Sequence, residues 1–427
     1  MEDDPFLSHF VRQITLNEIK MSQKTIDKIK SILKVLYQTR INRNSLESIS
    51  FQGIPDECNG LRAFCWKVLL GYLPEYTSKW KATLDMNRKN YENYLHDYFL
   101  PRFKMAKQQK AKKEASKNSD STLQKEEIKE SEPSGTNQAG TTKKKQLILE
   151  SEGVDHPLSR EKNSTWNNYF KDQELWEDIE KDTKRTRSEM DFFQKPTQYP
   201  LKYINDVCIR EENDPPETHS TVLSRILFIY GKLNPGVGYV QGMNEVVAPI
   251  YYCFCNDQNP LFIGHAEADT FFCFTHLMGD IQDGFVKKLD NTEVGIQARI
   301  KNLNELLKKI DKQLWTHLEK HNVNPQFYSL RWLMLLLTQE FEMIEVFRLW
   351  DSLLSHPKRL DYLNYVCLAM MEGVRDKLIE EDEFATLMET LQKETNVDLE
   401  RILATSFRLY KQYSKPEDMV YHIVFPS

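Results

Sequence analysis

The sequence lacks the long apolar runs that anchor or export a protein. Its longest nearly unbroken apolar stretch, residues 246–255, is far shorter than the roughly 20 residues that span a bilayer. The first residues, MEDDPFLSHF, are acidic and do not resemble a secretory signal, which has a cationic start followed by an apolar segment. No lipidation motif occurs at either end. We therefore expect no transmembrane segment and a cytoplasmic location.

Excess basic charge and a cysteine pattern typical of metal sites are also missing. Lys and Arg number 57 against 63 Asp and Glu, and the net charge of -6 provides no overall basic field for nucleic acid. The odd number of cysteines, 7, without an export signal indicates reduced thiols. Cys253 and Cys255 form a C-x-C pair, but no second pair or histidine cluster accompanies it, so we predict no metal site.

Familiar catalytic motifs are absent as well. The sequence contains no G-x-S-x-G, H-E-x-x-H, Walker A or G-x-G-x-x-G motif. This absence disfavours a self-contained hydrolase and a nucleotide-binding fold. No repeat of about 20–50 residues is visible, which favours a compact domain over a solenoid.

What the sequence does contain is helical periodicity. Hydrophobic residues make up 40% of the chain, and in several segments they recur at steps of three and four residues with Lys and Glu between them. An example is the series Ile300, Leu303, Leu307, Ile310 and Leu314. Alternating strand patterns and Asn-Gly hairpin turns are not found. We predict an all-α chain of many medium-length helices.

Composition suggests the domain boundaries. Residues 104–148 are highly polar and hold few apolar side chains, so they cannot bury enough surface to offset the entropy lost on ordering. We predict that this segment is a disordered insertion in a surface loop. Around it we assign an N-terminal helical segment at residues 1–52, a main domain at 53–357, and helices at 358–427 that continue the same fold.

Arg62 and Trp66 form the first of three clusters that could carry function. They lie four residues apart in an R-x-x-x-W pattern, so they share one face of a helix. A guanidinium packed beside an indole can act as a structural clamp, and no general base accompanies the pair. We predict a structural role for both residues.

Ile179, Asp182 and Arg185 form the second cluster, at positions i, i+3 and i+6. On a helix they would share a broad face, with Asp182 and Arg185 close enough to pair. From spacing alone, a solvated helix with a surface ion pair is the simpler interpretation.

Tyr239, Gln241, Gly242 and Met243 form the third cluster, where a glycine-rich loop gives way to an apolar helix. The neutral Gln241 amide both donates and accepts hydrogen bonds, so it could cap the helix or contact a ligand. Gly242 permits a close approach of the backbone at this point. The pattern alone leaves both interpretations open.

Taken together and in this order, the three clusters resemble the signature of the TBC domain, a family of GTPase-activating proteins for Rab GTPases. Residues 265–278 and 331–354 are similar to the same family, and the resemblance covers about residues 53–357. It implies a V-shaped, all-helical domain in two subdomains.

The resemblance also implies a mechanism in which two side chains enter the GTPase in trans. Arg185 would supply a cation to the transferring phosphoryl group, and Gln241 would hold the attacking water. Asp182 would orient Arg185, and Tyr239 would support the loop that carries Gln241. The other supporting motif residues are Ile179, Gly242 and Met243.

The implied partner is a GTP-bound Rab-family small GTPase. GTP and Mg²⁺ would belong to that partner, so we expect no cofactor of the chain's own and no nucleic-acid partner. The protein would reach endomembranes transiently through the Rab and regulate vesicle traffic. Two other interpretations stay open: a TBC module that binds a GTPase or scaffold without catalysis, and a helical scaffold unrelated to GTPases. An arginine and a glutamine at both implied positions argue against the non-catalytic module.

Overall fold

The computed structural model describes residues 6–17, 21–109, 165–211, 213–286, 295–393 and 398–423, and in these ranges it confirms the all-α prediction. The helices are α1 (Ser8–Asn17), α2 (Gln23–Leu36), α3 (Arg43–Phe51), α4 (Leu61–Leu69), α5 (Trp80–Tyr94), α6 (residues 100–109), α7 (Thr165–Thr183), α8 (His219–Leu233), α9 (Met243–Cys255), α10 (Ala266–Ile281), α11 (Ile296–Ile310), α12 (Lys312–Lys320), α13 (Gln326–Met334), α14 (Met343–Ser355), α15 (Arg359–Gly373), α16 (Arg375–Glu380), α17 (Phe384–Lys393) and α18 (Leu399–Tyr413). Within the described ranges, none of these helices combines the length and the apolar character that crossing a membrane requires.

A short β-hairpin interrupts the helical pattern between α7 and α8. Strands β1 (Tyr203–Ile204) and β2 (Val207–Cys208) pair antiparallel. Asn205, in the turn between them, has a φ of 49°, in the left-handed region that Asn tolerates better than most residues. The sequence analysis missed this hairpin because two-residue strands are too short to show alternation.

Helices α8 and α9 form the base on which the third sequence cluster rests. Their side chains are buried on almost every side, as expected for helices that are apolar all round. Helix α9 packs against α8 and α10. A side chain such as Phe228, which is fully buried in α8, contributes about 1.5–3 kcal/mol by leaving water. The loop between α8 and α9 therefore starts and ends on well-packed helices.

The C-terminal helices form a second group, centred on the pairing of α15 with α18. Helix α14 joins the two groups, because it packs against α3, α4 and α9 on one side and against α15 and α18 on the other. One hydrophobic cluster runs through both groups, from Leu7 in the N-terminal segment to Ile423. Residues on both sides of the predicted main domain thus share its core.

The first part of the predicted insertion is ordered. Helix α6 includes residues 104–109, and the prediction of disorder is wrong there; residues 110–148 lie outside the described residues. The helix is held against α7 by Arg102, whose guanidinium lies 4.1 Å from the ring centre of Trp176. The prediction of disorder rested on the polar composition of the segment, and composition gives no information about a tertiary contact of this kind.

Arg62 and Trp66 are joined through a third residue, Asp351. Both donate hydrogen bonds to the carboxylate of Asp351 in α14, from Arg62 Nε at 3.1 Å and from Trp66 Nε1 at 2.8 Å. The backbone N–H of Ile54 donates to the same carboxylate at 2.7 Å. Burial opposes the Arg62 charge, but Asp351 and Asp56 outweigh it and hold the pKa of Arg62 above its ordinary value. Asp351 thereby fastens α4 to α14.

We expect the Asp351→Ala variant to lose about 3–5 kcal/mol of unfolding free energy, because Arg62 would remain buried without its main partner. Urea denaturation followed by circular dichroism measures the loss. Asp56→Ala is the matched control, since the Asp56 side chain is 65% exposed and its removal should cost under about 1 kcal/mol. Equal losses in the two variants would contradict this account of the contact.

Candidate functional site

Arg185 lies in a turn and not on a helix, which corrects the prediction that it shares a helix face with Ile179 and Asp182. Helix α7 ends at Thr183, and residues 184–189 form turns. The Arg185 side chain is 62% exposed, and its Nη2 donates a hydrogen bond to Asp182 Oδ1 at 2.5 Å. Asp182 is buried in the last turn of α7 and accepts from one terminal nitrogen of this largely exposed side chain.

The neighbouring cations of this turn have other partners. Arg187 is buried and has a φ of 47°, and its guanidinium donates to the carbonyl oxygens of Thr338 and Phe341, the latter at 3.0 Å. Lys184 pairs with Glu180 on the surface of α7 at 3.3 Å. Arg187 is thus committed to the backbone between α13 and α14, which leaves Arg185 as the exposed arginine of the turn.

The loop between α8 and α9 presents Gln241 next to the first residue of a buried helix. The N-cap of α9 is Gly242, with a φ of 103°, so Gln241 does not occupy the capping position that one interpretation gave it. The Gln241 side chain is exposed, whereas Met243 and the following residues are buried. The polar Gln241 therefore faces solvent just before α9, and the buried residues of that helix hold it in place.

Tyr239 connects this loop to the arginine turn. Its hydroxyl donates a hydrogen bond to Asp182 Oδ2 at 2.6 Å, while the other oxygen of the same carboxylate accepts from Arg185. Burial and the contact with Asp182 raise the pKa of Tyr239 well above its ordinary value, so the phenol remains a donor at neutral pH. One carboxylate therefore positions both loops.

Asn244 strengthens the same connection and was missed by the sequence analysis. Its Nδ2 donates to Thr186 Oγ1 at 2.8 Å, and its Oδ1 accepts the backbone N–H of Gly242 at 3.2 Å. It is only 4% exposed. A buried amide must satisfy its hydrogen bonds, so an asparagine in the first turn of an apolar helix was the available signal.

Arg185 and Gln241 line the same cleft, which has a volume of about 520 Å³. The opposite wall is formed by α13 and the residues after it, including Arg331 and Leu335. The Arg331 guanidinium is held by both oxygens of Glu340, at 2.6 and 2.8 Å. The cleft thus runs between the two groups of helices and has an exposed guanidinium and an exposed amide on one wall.

The remaining motif residues, Ile179, Gly242 and Met243, pack behind or beside the residues that line the cleft. Ile179 and Met243 are fully buried. A Cβ atom at Gly242 would lie 2.8 Å from Leu335 Cδ2, closer than van der Waals contact allows. Glycine is therefore favoured here both by its left-handed backbone and by the close approach of the Leu335 side chain.

We expect Gly242→Ala to lower the unfolding free energy by about 1–3 kcal/mol, because an L side chain is strained at this φ and would also press against Leu335. Gly236→Ala is the matched control in the same loop, since no atom lies within 4 Å of its added Cβ. That control should change stability by less than about 0.5 kcal/mol. Urea denaturation of both variants checks the difference, and equal stabilities would contradict the strain assigned to Gly242.

Comparison with known proteins identifies relatives of this chain. The family model of the Rab-GTPase-TBC domain matches residues 146–379. The chain is 35% identical to human TBC1 domain family member 13, over 90% of this chain and 98% of that protein. It is 28% identical to a TBC domain-containing protein of Schizosaccharomyces pombe, over 93% of this chain and 75% of the relative.

A solved structure shows the same fold. The crystal structure of the Ypt/Rab-GAP domain of Gyp1p matches with a TM-score of 0.63 and 24% identity, over 91% of this chain and 99% of that one. The family match covers residues 146–379, which include the cleft residues Arg185 and Gln241, and the similarity to member 13 extends over 90% of the chain. The chain therefore belongs to the Rab-GTPase-TBC domain family.

Proposed function

We propose that this protein stimulates GTP hydrolysis by a Rab-family small GTPase, with Arg185 and Gln241 acting in trans on the partner's GTP. The observation that carries the proposal is the pair of exposed side chains, Arg185 and Gln241, in one cleft. Asp182 binds Arg185 directly, and it binds the loop of Gln241 through Tyr239. Membership of the Rab-GTPase-TBC domain family supports the same function, as does the likeness in fold to the Ypt/Rab-GAP domain of Gyp1p.

Arg185 suits the role of a cation supplied to the reaction. Phosphoryl transfer develops negative charge on the oxygens of the transferring and leaving groups, and a positioned guanidinium lowers the barrier by stabilising that charge. The Arg185 guanidinium is exposed enough to enter a partner and is tethered at one nitrogen by Asp182. The tether restricts its rotamers before binding, so less conformational entropy is lost in the complex.

Gln241 suits the role of the group that holds water. A neutral amide accepts a hydrogen bond from water and donates one to a phosphate oxygen at the same time. Its backbone is fixed by Gly242 and by the Asn244 contact, so the amide is presented from a rigid start of α9. Positioning of this kind removes part of the entropic barrier to in-line attack.

The nucleotide and the metal ion of the proposed reaction belong to the partner. In this proposal GTP and Mg²⁺ are bound by the Rab, and the chain contributes the two side chains without a cofactor of its own. The protein would act in vesicle traffic and meet endomembranes only while it is bound to the Rab. The Rab it recognises would dock with its nucleotide site over the cleft between α9 and α13.

We expect Arg185→Ala to reduce the acceleration of GTP hydrolysis by about 10³-fold or more, since arginine fingers contribute on this scale. Gln241→Ala should reduce it by about 10²-fold or more through misplaced water. The measurement is single-turnover hydrolysis by a panel of purified, GTP-loaded Rabs. Lys184→Ala is the matched control, because Lys184 is an exposed cation next to Arg185 that pairs with Glu180. It should retain full activity.

The outcomes separate the competing interpretations. Both active-site variants should keep the wild-type circular dichroism spectrum, because the two side chains are exposed. Acceleration that survives both substitutions would reject the assigned residues. Binding to a Rab without acceleration by the wild-type protein would instead favour the non-catalytic TBC module.

A further inference from the structure

Two histidines and an aspartate come together on the C-terminal group of helices, away from the residues that line the cleft. His317 and His321 lie one turn apart at the end of α12, with ring centres 4.6 Å apart. Asp382 lies in the short segment between α16 and α17. One ring nitrogen of each histidine and one carboxylate oxygen of Asp382 all lie within 4.8 Å of one another.

The contacts of these side chains resemble those of metal ligands more than those of an ordinary ion pair. His317 Nε2 lies 2.7 Å from the carbonyl oxygen of Glu381, and a ligating imidazole commonly donates one ring nitrogen to a carbonyl in this way. His321 Nε2 lies 3.0 Å from Asp382 Oδ1. That nitrogen is inaccessible to solvent and has no partner in hydrogen-bond geometry among the described residues. The two groups are therefore close without pointing at each other.

We infer that His317, His321 and Asp382 bind a divalent transition-metal ion, with Zn²⁺ the best match. Imidazole and carboxylate ligands suit zinc, and two histidines at i and i+4 on a helix can reach one ion. Zinc binds nitrogen and oxygen at about 2.0–2.2 Å, so the ligand atoms must move closer together than 4.8 Å. The Asp382 side chain is 78% exposed and can make that movement.

A bound ion would fasten elements that are distant in sequence. It would link α12 to the short segment before α17, and α17 packs against α13. Gln392 of α17 donates to the carbonyl oxygen of Phe327 in α13 at 3.1 Å. A bound ion would therefore stabilise α13, the helix that forms one wall of the cleft. The site is independent of the proposed action of Arg185 and Gln241.

The test uses the full chain, stripped with EDTA and titrated with ZnCl₂ by isothermal calorimetry, with CoCl₂ absorption as a spectroscopic check of the ligands. We expect one ion per chain, at least a 10-fold loss of affinity in His321→Ala and in Asp382→Asn, and a rise in the thermal unfolding midpoint with zinc that both variants lose. Asp382→Asn leaves the fold intact because the side chain is exposed.

His96→Ala is the matched control, since His96 also lies beside an aspartate, Asp97, at 2.9 Å and is half exposed. It should bind zinc as the wild type does. Absence of stoichiometric binding to the wild type would overturn the proposal. Binding of equal affinity in all variants would also overturn it, and would indicate another ligand such as the exposed thiol of Cys208.

Discussion

The carboxylate of Asp182 is the contact on which the geometry of the cleft depends. One oxygen accepts from Arg185 and the other from the hydroxyl of Tyr239, so two loops that are distant in sequence share a single anchor. The carboxylate is buried while the guanidinium that it holds is mostly exposed. A buried acceptor with two donors has little freedom to rearrange, and that rigidity extends to the side chains that it supports.

A second buried carboxylate, that of Asp351, connects two helices of the scaffold. Asp351 joins α4 to α14 through Arg62 and Trp66, and α14 is the helix that packs against both groups of helices. The apolar core holds the helices together without fixing direction, because hydrophobic burial is non-directional. The two carboxylates add directional contacts, one within the scaffold and one at the cleft. The relation between the two walls of the cleft rests on both kinds of interaction.

Helical periodicity predicted the fold class because the spacing of apolar residues in an amphipathic helix shows which face of that helix is buried. The series around Ile300 and Leu307 is one example, and its buried side chains form the inner face of α11. The end of α7 before Arg185, the hairpin around Asn205 and the order of residues 104–109 were not predicted. Each of them depends on contacts with other parts of the chain or on turns too short to produce a pattern.

The sequence by itself determined the helical character of the chain, the family to which it belongs and the residue types available at the cleft, because these are properties of local pattern and motif order. Only the tertiary structure decided that Arg185 leaves its helix, that Asn244 joins the two loops and that His317, His321 and Asp382 converge. Such relations arise when segments far apart in sequence are packed against each other, and spacing along the chain carries no information about the distance between them.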